Sequence, residues 1–154
     1  MKVEQLMTRN VATCSPEQPM SEAARLMWER DCGCVPVVEP GGRLVGIITD
    51  RDICMSAYTK ALPLHQIAIR EAMALRVHCC RTGDPIEKAE KIMKEEQVRR
   101  LPVTNVDGLL VGILSLNDIA READREQTNR LPEVGLNGVA LTLSAVCQPH
   151  VNPS

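Results

Sequence analysis

Apolar positions along the chain fall into alternating helical and extended rhythms. Met20, Ala23, Ala24 and Met27 recur at the spacing of a helix with one apolar face, and Ile86, Ala89, Ile92 and Met93 do the same further on. Pro19 and Pro85 open these runs, at a first helical turn where a missing N–H costs nothing. Residues 11–15, 77–81, 35–38 and 101–104 read as short strands. Gly41-Gly42 and Asp107-Gly108 are hairpin signals. The stretches that follow, 44–48 and 109–114, are almost unbroken apolar sequence, which predicts strands buried on both faces. Thr49 and Ser115 then stand where helices should start, each with an acid three residues on, Asp52 and Asp118.

These elements occur twice because the chain is internally duplicated. Residues 3–54 align with 69–120 at a constant offset of 66, without a gap, and 16 of the 52 positions are identical. Met7 matches Met73, Cys14 matches Cys80, and Pro36-Val37 matches Pro102-Val103. Leu44-Val45-Gly46-Ile47 matches Leu110-Val111-Gly112-Ile113, and Asp52-Ile53 matches Asp118-Ile119. Each copy reads β-α-β-β-α, so the pattern predicts a mixed α/β (α+β) fold. One such unit leaves an apolar face uncovered that its duplicate can cover, and the expected packing is about a pseudo-two-fold axis.

The rest of the chain is less regular. Residues 58–68 hold Pro63 and read as a linker. Residues 124–130 are polar and extend the last helix of the second copy, with Pro132 stopping any extension at or before Leu131. Leu136, Val139, Ala140, Leu143 and Val146 give a short apolar face at helical spacing, which Gly138 and Thr142 weaken. Residues 149–154 are expected to fray.

Composition narrows the function. The chain has 154 residues with 18 Lys+Arg against 20 Asp+Glu, so no global positive field exists to hold nucleic acid. One Trp, one Tyr and no Phe leave almost no platform for stacking bases. No apolar stretch approaches a bilayer span and the start lacks a signal-peptide core, so the expectation is a cytoplasmic protein without membrane contact. Seven cysteines include no Cys-x-x-Cys, and His65, His78 and His150 complete no recognisable zinc set with them. They are expected to act mainly as small buried apolar side chains. Cys32 with Cys34, and Cys79 with Cys80, are the candidates for a metal or redox role.

The motifs Val35-Pro36-Val37-Val38, Gly46-Ile47-Ile48-Thr49-x-x-Asp52, Arg99-Arg100-Leu101-Pro102-Val103 and Gly112-Ile113-Leu114-Ser115-x-x-Asp118 resemble those of CBS domains. The chain is similar to a tandem pair, a Bateman module. The resemblance implies repeats at 1–57 and 69–123, a linker at 58–68 and a C-terminal extension at 124–154. It further implies a non-enzymatic regulatory or sensor module that binds an adenosine-containing ligand such as AMP, ADP or ATP in clefts between the repeats. No catalytic residue, catalytic cofactor or metal site is expected. A homodimer and an unidentified protein partner are.

By themselves, Thr49-x-x-Asp52 and Ser115-x-x-Asp118 fit two roles. Each is a helix cap with an acid in its first turn. Each is also a hydroxyl and a carboxylate suited to phosphate and ribose, beside backbone N–H groups at a helix start, and the family resemblance favours this second role. In the family the residues before the second strand line the cleft facing the first motif. The first set of ligand residues is therefore Ile47, Thr49, Asp52, His78, Arg99 and Arg100. The second is Ile113, Ser115, Asp118, Val11 and Cys34. The copy-one counterparts of His78, Arg99 and Arg100 are Ala12, Gly33 and Cys34, without charge, so the second set is the weaker phosphate site. Met27, Trp28 and Met93 are candidate dimer contacts, and the segment at 136–146 is a candidate cover for a partner subunit. Two other readings compete: a ligand-free structural or interaction dimer, and a thiol- or metal-responsive protein.

Overall fold

The computed structural model of the chain describes residues 1–126 and 133–148. Its elements in order are α1 (Val3–Leu6), α2 (Met20–Glu29), β1 (Cys34–Val38), β2 (Leu44–Thr49), α3 (Asp50–Lys60), β3 (Cys80–Arg81), α4 (Ile86–Glu96), β4 (Arg100–Thr104), β5 (Leu110–Ser115), α5 (Leu116–Arg125) and α6 (Leu136–Val146). Short 3₁₀ turns occupy Leu64–Gln66 and Ile69–Glu71. The fold is the expected mixture of helix and strand in two repeats.

Packing divides the chain into two compact units. A first-repeat unit holds Asn10–Val77 with Asn105–Leu110; a second-repeat unit holds Met1–Arg9, His78–Thr104 and the described residues from Val111 onward. The arm at the start of each repeat in sequence thus packs with the other one. Val3 and Met7 lie in one core with Ile86, Met93, Leu101 and Leu114. Ile67 and Ile69 lie in another with Met20, Val35, Val37 and Ile48. Residues 58–68 run from the last turn of α3 through Pro63 to the buried Ile67. Met20 N–H donates to Ile67 O at 2.8 Å, and Ile86 N–H to Met1 O at 3.1 Å. Each arm carbonyl satisfies an orphan donor of the helix it meets. Pro19 and Pro85 stand at the N-caps, one residue before the expected first turn.

In the first-repeat unit β1 and β2 pair antiparallel, Cys34 opposite Thr49 and Val35 opposite Ile48. Gly41 and Gly42, at φ of +96° and +87°, make the turn. The strand expected at 11–15 is reduced to one parallel bridge, Cys14 to Val37. The Ser15 N–H donates to Gln18 Oε1 at 2.8 Å just as Arg81 N–H donates to Asp84 Oδ2 at 2.9 Å, but Pro16 has no N–H to offer a ladder. In the second copy Thr82 replaces Pro16 and donates to Thr104 O at 3.4 Å, and β3 forms parallel to β4.

α5 ends at Arg125; the stop expected at Leu131–Pro132 and the fraying at 149–154 lie outside the described residues. α6 forms as expected but with a different face inward. Val139, Thr142 and Val146 are buried, while Leu136, Ala140 and Leu143 are exposed. The two residues that weakened the helical reading decide this. Gly138 faces the carboxylate of Glu90 on α4, where a Cβ would stand 3.2 Å from Oε1. Thr142 Oγ1 donates to Gly138 O at 2.8 Å and stands 3.4 Å from Glu90 Oε1. The dimer candidate Met93 is wholly buried in its own chain, and Met27 nearly so.

Glu90 is a buried acid, and its burial pushes its carboxyl above the ordinary 4.5, against the pull of Lys94 and the Thr142 hydroxyl and with some repulsion from Glu87. The folded chain therefore holds the proton more tightly than the unfolded one. This contribution is fully present below the ordinary glutamate value and is lost as pH rises through the raised one. Glu90→Gln keeps an acceptor for Thr142 and removes the buried charge. Its melting temperature should exceed wild type at neutral pH, with the gap closing in acid; a variant less stable than wild type at neutral pH would contradict this.

Candidate functional site

The two hydroxyl–acid pairs lie where a strand hands over to a helix. Thr49 ends β2 and caps α3. Its N–H and Oγ1 donate to Asp52 Oδ2 at 2.8 and 2.7 Å, and Asp52 N–H donates back to Oγ1 at 3.2 Å. Ser115 and Asp118 repeat this at the start of α5, at 2.8, 2.6 and 3.2 Å. The capping role is thus realised in both copies, and one carboxylate oxygen of each acid is committed to it. The other oxygens differ. Asp118 Oδ1 accepts from Arg121 Nη2. Its counterpart residue in copy one is Met55, and Asp52 Oδ1 has no hydrogen-bond partner among the described residues.

The start of α3 does not present the free N–H groups expected of it, and at the start of α5 the first is taken. Asp50 N–H donates to Gly33 O at 3.2 Å, and Arg51 N–H to Asp50 Oδ1 at 2.7 Å. Leu116 N–H donates to Arg99 O at 2.9 Å. A phosphate near Thr49 would need side-chain cations.

The motif glycines also serve the fold. Ile47 exchanges backbone bonds with Ala74 at 3.1 and 2.8 Å, and Ile113 with Thr8 at 2.9 and 2.9 Å. The arms lie so close over Gly46 and Gly112 that a Cβ would stand 2.8 Å from Met73 Sδ and 2.6 Å from Met7 Sδ. The close approach at each glycine is made by the chain's own arm, a methionine side chain and a backbone carbonyl. The pairing of Met7 with Gly112, and of Met73 with Gly46, was visible only as two repeated letters in each copy.

The two sets named from the sequence each draw on both units. In the first-repeat unit Ile47, Thr49 and Asp52 are half-buried, Cys34 is buried opposite Thr49, and Val11 is half-buried. In the second-repeat unit Ile113, Ser115 and Asp118 are half-buried. Arg99 is exposed, its Nη2 donating to Cys147 Sγ at 3.7 Å, and Arg100 is half-buried at the start of β4. Neither guanidinium has a carboxylate within ion-pair distance among the described residues. His78 differs: Glu96 Oε2 lies 3.3 Å from its Nε2 and would take up its charge when it is protonated.

The cysteines depart from a uniform buried role. Cys14, Cys34 and Cys80 are buried, Cys32 is half-buried, and Cys54, Cys79 and Cys147 are exposed. Burial pushes the Cys14 thiol up to about 11 and the Cys80 thiol to about 12, so neither is a ready nucleophile. Among the described residues, no group of three His, Cys, Asp or Glu side chains is placed to hold a metal ion. No described helix is long and apolar enough to cross a membrane.

The family model for the CBS domain matches residues 3–57 and 69–125. The chain belongs to the CBS domain family. It is 38% identical over 118 residues to the CBS domain-containing protein YhcV of Bacillus subtilis, covering 77% of this chain and 82% of that one. A crystal structure of Hypoxic Response Protein I with two coordinated zinc ions is similar at a TM-score of 0.72 and 30% identity, over 79% of this chain and 98% of that one. A crystal structure of CBSX2 in complex with AMP has a TM-score of 0.72 and 26% identity, over 80% and 98%.

Proposed function

We propose that this CBS-domain pair is a non-enzymatic, cytoplasmic sensor that binds an adenine nucleotide, AMP, ADP or ATP. Asp52 supports this most directly: its Oδ2 is fixed by the cap while Oδ1 is left open among the described residues, a fixed acceptor suited to ribose hydroxyls. Ile47 and Thr49 flank it in the chain. Arg99 and Arg100, without a carboxylate partner among the described residues, supply charge-assisted bonds to phosphate, and His78 belongs to the same set. AMP in the related CBSX2 supports the ligand class. Ile113, Ser115, Asp118, Val11 and Cys34 form the weaker set, because Arg121 occupies the outer oxygen of Asp118.

The module acts by differential binding: ligand favours one conformation of a homodimer, and a protein partner reads it. A thermal-shift panel of AMP, ADP, ATP, adenosine and GMP tests the reading, since a ligand selective for the folded chain must stabilise it. Adenine compounds should raise the melting temperature and GMP should not. No shift with any adenine compound at millimolar concentration would refute it.

A further inference from the structure

The two repeats differ in what covers their helices. In the first-repeat unit a groove of about 290 Å³ opens between α2 and α3, lined by Ala24, Met27, Trp28, Cys32, Asp50 and Ile53. In the second copy four of these positions are Glu90, Met93, Leu116 and Ile119. There α6 packs on both α4 and α5: Met93, Leu116 and Ile119 share a core with Val139 and Val146, and Glu90 meets Gly138 and Thr142. The surface that a helix of this chain fills in one repeat is therefore open in the other. The only Trp and the only Tyr sit on its two helices, Trp28 89% and Tyr58 80% exposed. Trp and Tyr are the residue types most enriched where binding energy concentrates.

α6 itself is half covered. It carries no charged residue, and beside its buried face runs an exposed stripe, Leu136, Ala140 and Leu143, at i, i+4 and i+7. That stripe is continuous with the face already packed on α4 and α5. A helix apolar on more than one side is ordinarily buried on more than one side. Leu141, also exposed, has the polar Asn137 and Ser144 as its helical neighbours.

We propose that in the homodimer the Leu136–Ala140–Leu143 stripe of one copy seats in the α2/α3 groove of the other, against Trp28, and reciprocally. This rests on the self-association proposed above and assigns its surfaces. A two-fold pair then contains the same contact twice, which closes the assembly at two copies.

Sedimentation velocity on the full chain tests this with Leu143→Asp in the stripe, Trp28→Ala in the groove and Leu141→Asp as control. All three side chains are exposed in the single chain, and Leu136→Asp serves if Leu143→Asp fails to fold. Wild type and Leu141→Asp should be dimers, while Leu143→Asp and Trp28→Ala should each weaken the dimer by about tenfold or more, as hot-spot truncation does. Mixing those two variants should recover part of the association, because the mixed pair keeps one intact contact. Trp28 emission should shift to the blue on association in wild type and not in Leu143→Asp. A dimer that Trp28→Ala weakens but Leu143→Asp does not, with no recovery on mixing, places groove on groove and overturns the assignment while leaving self-association standing. A wild-type monomer at micromolar concentration overturns both.

Discussion

Asp52→Ala weakens AMP and adenosine alike, whereas Arg99→Ala and Arg100→Ala weaken AMP and leave adenosine nearly unchanged. The ribose contact is common to both ligands; the phosphate contact belongs to AMP. A hydrogen bond to a charged group contributes about 1.5–3 kcal/mol, so each useful arginine is worth about tenfold or more in affinity. The capping role complicates Asp52→Ala, because losing a capping side chain costs about 1 kcal/mol of helix stability. Asp118→Ala supplies the control. It breaks the matching box at the start of α5, and its cost in stability should be similar. Its effect on AMP should be small, because the outer oxygen of Asp118 is already held by Arg121. Calorimetry on the four variants with both ligands reads this out. If Asp118→Ala abolishes AMP binding while Asp52→Ala and both arginine variants bind normally, the two sets have been assigned the wrong way round.

The second large effect is structural. Gly112→Val and Gly46→Val should each destabilise the chain severely, and Gly112→Ala and Gly46→Ala by about 1–3 kcal/mol, the usual cost of overpacking. The added Cβ at Gly112 meets Met7 Sδ at 2.6 Å and Thr8 O at 3.0 Å; at Gly46 it meets Met73 Sδ at 2.8 Å and Ala74 O at 3.2 Å. A methionine side chain can shift, but the carbonyl is held by the backbone bonds of Thr8 to Ile113 and of Ala74 to Ile47. Met7 is also buried while Met73 is half-buried, so Gly112 should be the more sensitive of the two. Urea denaturation of the four variants checks the order. Alanine variants as stable as wild type would mean that the arms are not held over β2 and β5 as described. Nucleotide affinity separates this role from a ligand role: a folded Gly46→Ala chain that has lost stability but not AMP binding shows a glycine serving the arm.

The Asp52 and Gly46 predictions separate what residue spacing can carry from what it cannot. Thr49 with Asp52, and Ser115 with Asp118, are three apart, and a box closed within one helical turn is a local matter. Its geometry follows from sequence. The same holds for the hairpin turns at Gly41-Gly42 and at Gly108, where positive φ demands glycine. The failed strand at 11–15 was legible too, since Pro16 is visible in the sequence and Thr82 is its counterpart. What went unread was the destination of the arms. Nothing in the spacing of Val3 or Met7 says that they pack with Ile86 and Leu114 rather than with Ile48.

The duplication, most elements of each repeat, the capped helix starts and the excess of cationic residues in the second copy over their counterparts in the first are all legible in residue order. These depend on periodicity and on residues within a few positions of each other. Which acid keeps an open oxygen is local too, since Arg121 and Met55 each stand three residues after their acid and differ in charge. Tertiary packing settled the rest. It decided which arm lies over which glycine. And it decided which side of α6 faces inward, because Gly138 and Thr142 meet Glu90 there, and apolar spacing ranks the larger Leu136 and Leu143 ahead of them. Burial is settled by the fit of opposing surfaces, and the second surface is distant in sequence.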